Sequence, residues 1–160
     1  HFGELFGHHS VASSDVQDVQ RSGLVAGFAC LNEDIKVIGI ADDDETGIKR
    51  GRVFELANSA LDDLGLPVRV SPADVEIISV DQSDYGKAEP ETFDIIRLLA
   101  RSEGLVADPV YEGKALRGLE KLAADGRFEP DSRVLLMHLG GTPAVHAYAN
   151  QFGKPDFSRI

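Results

Sequence analysis

The 160-residue chain is 42% hydrophobic and 27% charged, with 16 Gly and 7 Pro, a balance that excludes collagen-like, low-complexity and wholly disordered polypeptides and fits one ordinary globular domain. Sixteen Lys and Arg against 27 Asp and Glu leave a net charge of −11. An acidic surface of this kind repels phosphate backbones and anionic headgroups, so neither nucleic acid nor membrane is an expected partner. The densest basic run, Lys49-Arg50-Gly51-Arg52, reads as a solvated helix face.

Cys30 stands alone, which removes intrachain disulfides and multi-cysteine zinc sites and suits a reducing cytoplasm. Its apolar surroundings, residues 24–31, suggest a buried, inert thiol. The chain opens His1-Phe2-Gly3-Glu4 without Met, a basic stretch or a visible export signal, and is expected to begin inside a longer gene product.

Residues 1–22 show no sustained periodicity. From there the pattern alternates: a helix of small and apolar residues over 23–31, then a β-branched run over 35–41 of the kind covered on both faces. A polar loop at Asp42-Asp43-Asp44-Glu45 leads into a helix over 46–64, stopped by Gly65 and Pro67. A second strand is expected over 75–80, followed by a polar loop over 81–89. Pro90 opens a helix closed by Gly104. Asp108-Pro109 reads as an N-cap with Pro in the first turn of a helix running to Asp125-Gly126. A third strand is expected over 133–137, and Thr142-Pro143 repeats the cap-plus-Pro signal for a helix through Phe152. Helices alternating with buried strands argue for an α/β layer fold with parallel strands.

No Gly-x-Gly-x-x-Gly joins a strand to a helix, Asp42-Asp43-Asp44 would oppose a pyrophosphate, and there is no Walker A sequence. His8-His9, His138 and His146 lack metal-ligand spacing, so no metal is expected. The informative segments are Val106-Ala107-Asp108-Pro109-Val110-Tyr111-Glu112-Gly113-Lys114 and Met137-His138-Leu139-Gly140-Gly141-Thr142-Pro143-Ala144. The second is a glycine-rich turn before a capped helix, where backbone can approach a ligand. The first places a phenol and a carboxylate side by side in an opening turn. On their own these residues read first as a dipole-complementing carboxylate and a half-buried phenol.

Residues 104–153, which carry these motifs, resemble the C-terminal part of the 1-aminocyclopropane-1-carboxylate (ACC) deaminase / D-cysteine desulfhydrase family. Less densely, the resemblance reaches back to Gly23. It implies a partial three-layer parallel sheet of the tryptophan synthase β-like (fold type II) enzymes that use pyridoxal 5′-phosphate (PLP). Residues 23–160 would be the C-terminal part of the PLP-binding α/β domain, and residues 1–22 an unmatched segment. By the same resemblance Glu112 and Leu139 are cofactor-binding, with Glu112 facing the pyridine nitrogen, while Tyr111 and Tyr85 are the catalytic tyrosines beside cofactor and substrate. The pairing of Glu112 with Leu139 resembles the deaminases, which convert ACC to 2-oxobutyrate and ammonia. The alternatives are a D-cysteine desulfhydrase and a non-catalytic assembly module. The full-length enzyme would be a cytoplasmic homo-oligomer acting on a small amino acid.

Three departures accompany the resemblance. The family's Schiff-base lysine lies in an N-terminal half that has no counterpart here, and none of Lys36, Lys49, Lys87, Lys114, Lys121 and Lys154 sits in its context. Where the family has a Gly/Ser/Thr-rich phosphate loop, this chain has Asp18-Val19-Gln20-Arg21-Ser22. The family's smaller domain is absent as well. A truncated or frame-shifted origin and no turnover in isolation are therefore expected.

Overall fold

Asp18, Ser22, Val25 and Ala26 are buried at intervals of four, three and one residues, so one face of a helix is covered from a polar start to an apolar finish. In the computed structural model, which describes residues 13–32, 35–42 and 45–153, that helix is α1, Ser13–Leu31. It begins ten residues before the predicted start at Gly23, because Asp18 and Ser22 hold core positions that an apolar pattern does not reveal. After it come β1 (Ile38–Ile40), α2 (Thr46–Asp63), β2 (Glu76–Ile78), α3 (Pro90–Glu103) and α4 (Glu112–Ala124). Short 3₁₀ turns occupy Pro72–Asp74 and Thr142–Tyr148.

The described residues fall into two compact units, one within His1–Gly39 and Glu45–Ile78, the other within Ile40–Asp44 and Ser79–Ile160. In the first, α1 packs on α2. Val25 and Ala26 meet Val53, Ala57 and Leu61, with Val70 and Val75 closing the cluster. The buried face of α2 is Lys49, Val53, Ala57 and Leu61, a strict four-residue repeat. Fully covering a side chain such as Leu61 contributes roughly 1.5–3 kcal/mol.

The polar ends of both faces are matched. Asp18, fully buried, accepts from Arg21 Nη1 at 3.1 Å and from Arg52 Nη1 at 3.2 Å, and Lys49 adds to the positive field around it. Burial raises the Asp18 pKa despite these cations, which act in the opposite direction. The basic run is thus not the solvated face expected: Lys49 is 3% exposed and Arg52 is ion-paired to Asp18. Cys30 also departs from expectation, being exposed, because it lies off the buried face of α1.

The strands are shorter than predicted, and β1 and β2 pair in a two-stranded parallel sheet. Residues 133–137 form no third strand. Leu135 is 82% exposed, and the segment lacks the ladder of backbone bonds that defines a strand. The fold class is α/β, as expected.

In the second unit α3 packs on α4 through Ile96, Ala107 and Leu116, with Ile95, Leu99, Leu136 and Phe152 around them. Phe152 sits edge-on to Phe93 at 5.2 Å and beneath Arg97, which donates to Gln151 O. Gly104, at φ 69°, ends α3 as predicted. The Asp108-Pro109 helix starts later than its cap signal suggested, at Glu112. The Thr142-Pro143 segment is a 3₁₀ turn, its Thr142 hydroxyl donating to Val106 O instead of capping. No described helix is long and apolar enough to cross a membrane.

Two helical glycines make opposite predictions. A Cβ on Gly51 meets nothing within 4 Å, whereas one on Gly113 would lie 2.6 Å from Ile96 Cδ1 and 2.8 Å from Asp108 O. In urea unfolding Gly51→Ala should stabilise by about 0.5–1 kcal/mol. Gly113→Ala should destabilise by roughly 1–3 kcal/mol.

Candidate functional site

Asp108 is fully buried and organises the turn before α4. Its Oδ1 accepts from the backbone N–H of Val110 (2.8 Å) and Tyr111 (2.9 Å), and its Oδ2 from that of Glu112 (3.2 Å). The Asp108 carbonyl takes the Gly113 amide at 2.7 Å. Four donors of an opening helical turn are thereby satisfied by one residue, which fixes the directions in which Tyr111 and Glu112 leave the chain.

The glycine-rich turn comes against the same carboxylate. Gly141 has φ 83°, and a Cβ there would collide with the Asp108 carboxylate, so a close approach and a left-handed backbone both require glycine. Docked in this way, the turn directs the Leu139 amide to Glu112 Oε1 at 2.8 Å. The preceding residue is held too: His138 Nε2 lies 3.4 Å from Val106 O, and His138 Nδ1 accepts from the Gly140 amide at 3.4 Å. Both contacts suit the tautomer protonated at Nε2.

Glu112 is 7% exposed. Burial raises its pKa, and the neighbouring Asp108 adds to the rise, while the Leu139 amide and His138 act against it. Tyr111 adjoins Tyr85: the two hydroxyls share a hydrogen bond, and the rings meet edge-on with centroids 6.1 Å apart. Tyr85 stands on the 81–89 loop at the sharp turn before Gly86, whose φ is 77° and whose carbonyl accepts from Tyr148 OH at 2.7 Å.

All four sequence-predicted residues thus lie in the second unit, joined as two contacting pairs, Tyr85 with Tyr111 and Glu112 with Leu139. Leu139 is 55% exposed and meets Glu112 through its backbone amide. Sequence reasoning missed Asp108 as more than a cap, and Lys114 as a buried group. His8-His9 lie outside the described residues.

The profile of the pyridoxal-phosphate dependent enzyme family matches residues 21–140. The chain belongs to this family. Among curated relatives named 1-aminocyclopropane-1-carboxylate deaminase, that of Methylobacterium nodulans is 39% identical over 133 residues, covering 82% of this chain and 39% of the relative. The Rhizobium leguminosarum bv. viciae protein is 40% identical over 133 residues. That of Burkholderia multivorans is 36% identical over 152 residues, 94% of this chain, an alignment that takes in part of residues 1–22. A crystal structure described as that of an ACC deaminase homologue superposes with a TM-score of 0.76 at 33% identity, over 85% of this chain and 40% of the other. The chain therefore spans about 40% of the length of the relatives it matches.

The cofactor implied by the family is pyridoxal phosphate, and the described residues match one side of it. A buried carboxyl with a raised pKa suits a basic ring nitrogen, and the two phenols offer polar edges beside it. A phosphate cradle is not formed by residues 18–22. They lie inside α1, Ser22 Oγ donates to Val19 O at 2.7 Å, and Asp18 is enclosed by guanidinium groups. A helix interior has no amides left to offer an anion.

The lysines are engaged elsewhere. Lys36 pairs with Glu76, Lys87 with Asp84 and Lys121 with Asp125, while Lys49 and Lys114 are buried. Lys154 lies outside the described residues. The described residues fit the ring of the cofactor, not its phosphate or its aldehyde.

The raised Glu112 pKa gives a sign. The protonated carboxyl is the form the fold favours, so its contribution is complete below the ordinary glutamate range and is lost as pH rises through the raised value. Gln at this position keeps an acceptor for the Leu139 amide and cannot ionise. Urea midpoints measured across that interval should fall with pH in the native chain and fall less in Glu112→Gln.

Proposed function

We propose that this chain carries the ring-facing part of an ACC deaminase-like site and does not turn over substrate by itself. The observation that carries this reading is the Glu112 carboxyl, buried and hydrogen-bonded to the Leu139 amide next to the Tyr111–Tyr85 pair. Glu112 would hold a proton against the pyridine nitrogen, Leu139 would keep that carboxyl oriented through its amide, and Tyr111 with Tyr85 would shape the substrate side. The catalytic lysine and the phosphate cradle would come from polypeptide matching the rest of the relatives' length. The substrate class is a small amino acid, ACC first, and the complete enzyme would be a cytoplasmic homo-oligomer. Support for ACC comes from the relatives' names and from the Glu112/Leu139 pairing.

The test is a PLP titration of the purified chain, followed by borohydride reduction and peptide mass spectrometry. The expected result is no lysine adduct and no 2-oxobutyrate from ACC. A reduced adduct at one unique lysine would overturn the claim of incompetence. The deaminase assignment is tested separately, in a chimera supplying the unmatched portion of the Methylobacterium nodulans protein. It should convert ACC to 2-oxobutyrate, and Glu112→Gln should lower kcat at least about tenfold. A chimera that binds PLP yet acts on D-cysteine and not on ACC would contradict it.

A further inference from the structure

Lys114 is 1% exposed, an unusual place for an ammonium group. It lies on α4, three residues past Tyr111 and hence on the same helical turn. Its Nζ donates to Asp42 O at 2.7 Å and to Ser83 O at 3.1 Å, and lies 3.6 Å from Asp81 Oδ1. Asp81, 1% exposed, gathers the other polar groups. Its Oδ1 accepts from the Ser83 amide and hydroxyl, and its Oδ2 from the Glu89 amide at 2.8 Å and Thr92 Oγ1 at 2.6 Å.

The partners of this cluster bracket the loop over 81–89. Ser83 anchors its start, Glu89 anchors its end, and Thr92 ties it to α3. Tyr85 is at the middle of the bracketed stretch, where Lys87 N–H donates to Asp84 O to close the turn. One turn of α4 therefore presents both the phenol that Tyr85 meets and the ammonium that holds the loop carrying Tyr85.

We propose that Lys114, acting through Ser83 and Asp81, is a positioning residue that sets the Tyr85 phenol against the Tyr111 phenol. Burial opposes ionisation of Asp81, and the hydrogen bonds from Ser83, Thr92 and Glu89 outweigh it, leaving the pKa lowered and the partner of the ammonium a carboxylate. A buried pair of this kind fixes one arrangement, because any alternative strands a charge without a partner. The proposal concerns the geometry of the tyrosines and stands apart from the chemistry assigned to them above.

The chain has three tyrosines and no tryptophan, so ¹³Cζ-labelled tyrosine gives a spectrum of three ring resonances, and Tyr148→Phe assigns one of them. In the native chain Tyr85→Phe should move the Tyr111 resonance, because it removes that phenol's partner. In the isosteric Lys114→Met background the same substitution should move it less than half as far, with the helical far-UV signal retained. A shift of undiminished size in a folded Lys114→Met chain would overturn the proposal, as would a Tyr111 resonance that ignores Tyr85→Phe in the native chain. If Lys114→Met loses its helical signal, the comparison is made in Thr92→Val, which removes one donor to Asp81. There too a shift at least halved supports the proposal and an undiminished one overturns it.

Discussion

Three backbone amides converge on the carboxylate of Asp108, and the candidate site follows from that convergence. Without it, the N–H groups of residues 110–112 would be buried donors lacking acceptors, each costing roughly 1–3 kcal/mol. With it, Tyr111 and Glu112 occupy fixed successive positions at the head of α4. The absence of a Cβ at Gly141 lets the glycine turn reach the same carboxylate, and the Leu139 amide consequently finds Glu112. One buried carboxylate thus orients both contacting pairs of the candidate site.

Both units use buried charge to specify packing. In the first, Asp18 of α1 meets Arg52 of α2 where an apolar seam would have served for stability alone. In the second, Asp81 and Lys114 tie a loop to a helix. Replacing such pairs by apolar residues is often neutral or stabilising, whereas removing one partner strands a buried charge. The Asp18 arrangement also bears on function. The guanidinium groups of Arg21 and Arg52, which would suit a phosphate, are taken up by the Asp18 carboxylate, so residues 18–22 offer an anion no cradle.

Much of the second unit was legible in the sequence. Pro90 and Gly104 bound α3 because proline fits a first helical turn and glycine accepts a left-handed stop. The segments around Glu112 and Leu139 stood out by their cap, proline and glycine chemistry, and the family resemblance supplied the pairing that distance alone does not. The start of α1 was hidden because Asp18 and Ser22 fill core positions with polar side chains. The same is true of Lys49 and Lys114, whose burial depends on partners distant in sequence. Residues 133–137 misled in the opposite way: the apolar run Val134-Leu135-Leu136-Met137 reads as a strand, and a strand exists only where another backbone runs beside it.

The most direct measurement of the central claim is amide hydrogen exchange at Leu139. If the Asp108 cap holds the glycine turn so that this amide donates to Glu112, Leu139 should be protected in the native chain. Protection should drop by about tenfold or more in Asp108→Asn, which replaces one of the two accepting oxygens with an NH2 donor. A Leu139 amide that exchanges freely in the native chain, or is equally protected in Asp108→Asn, would contradict the account.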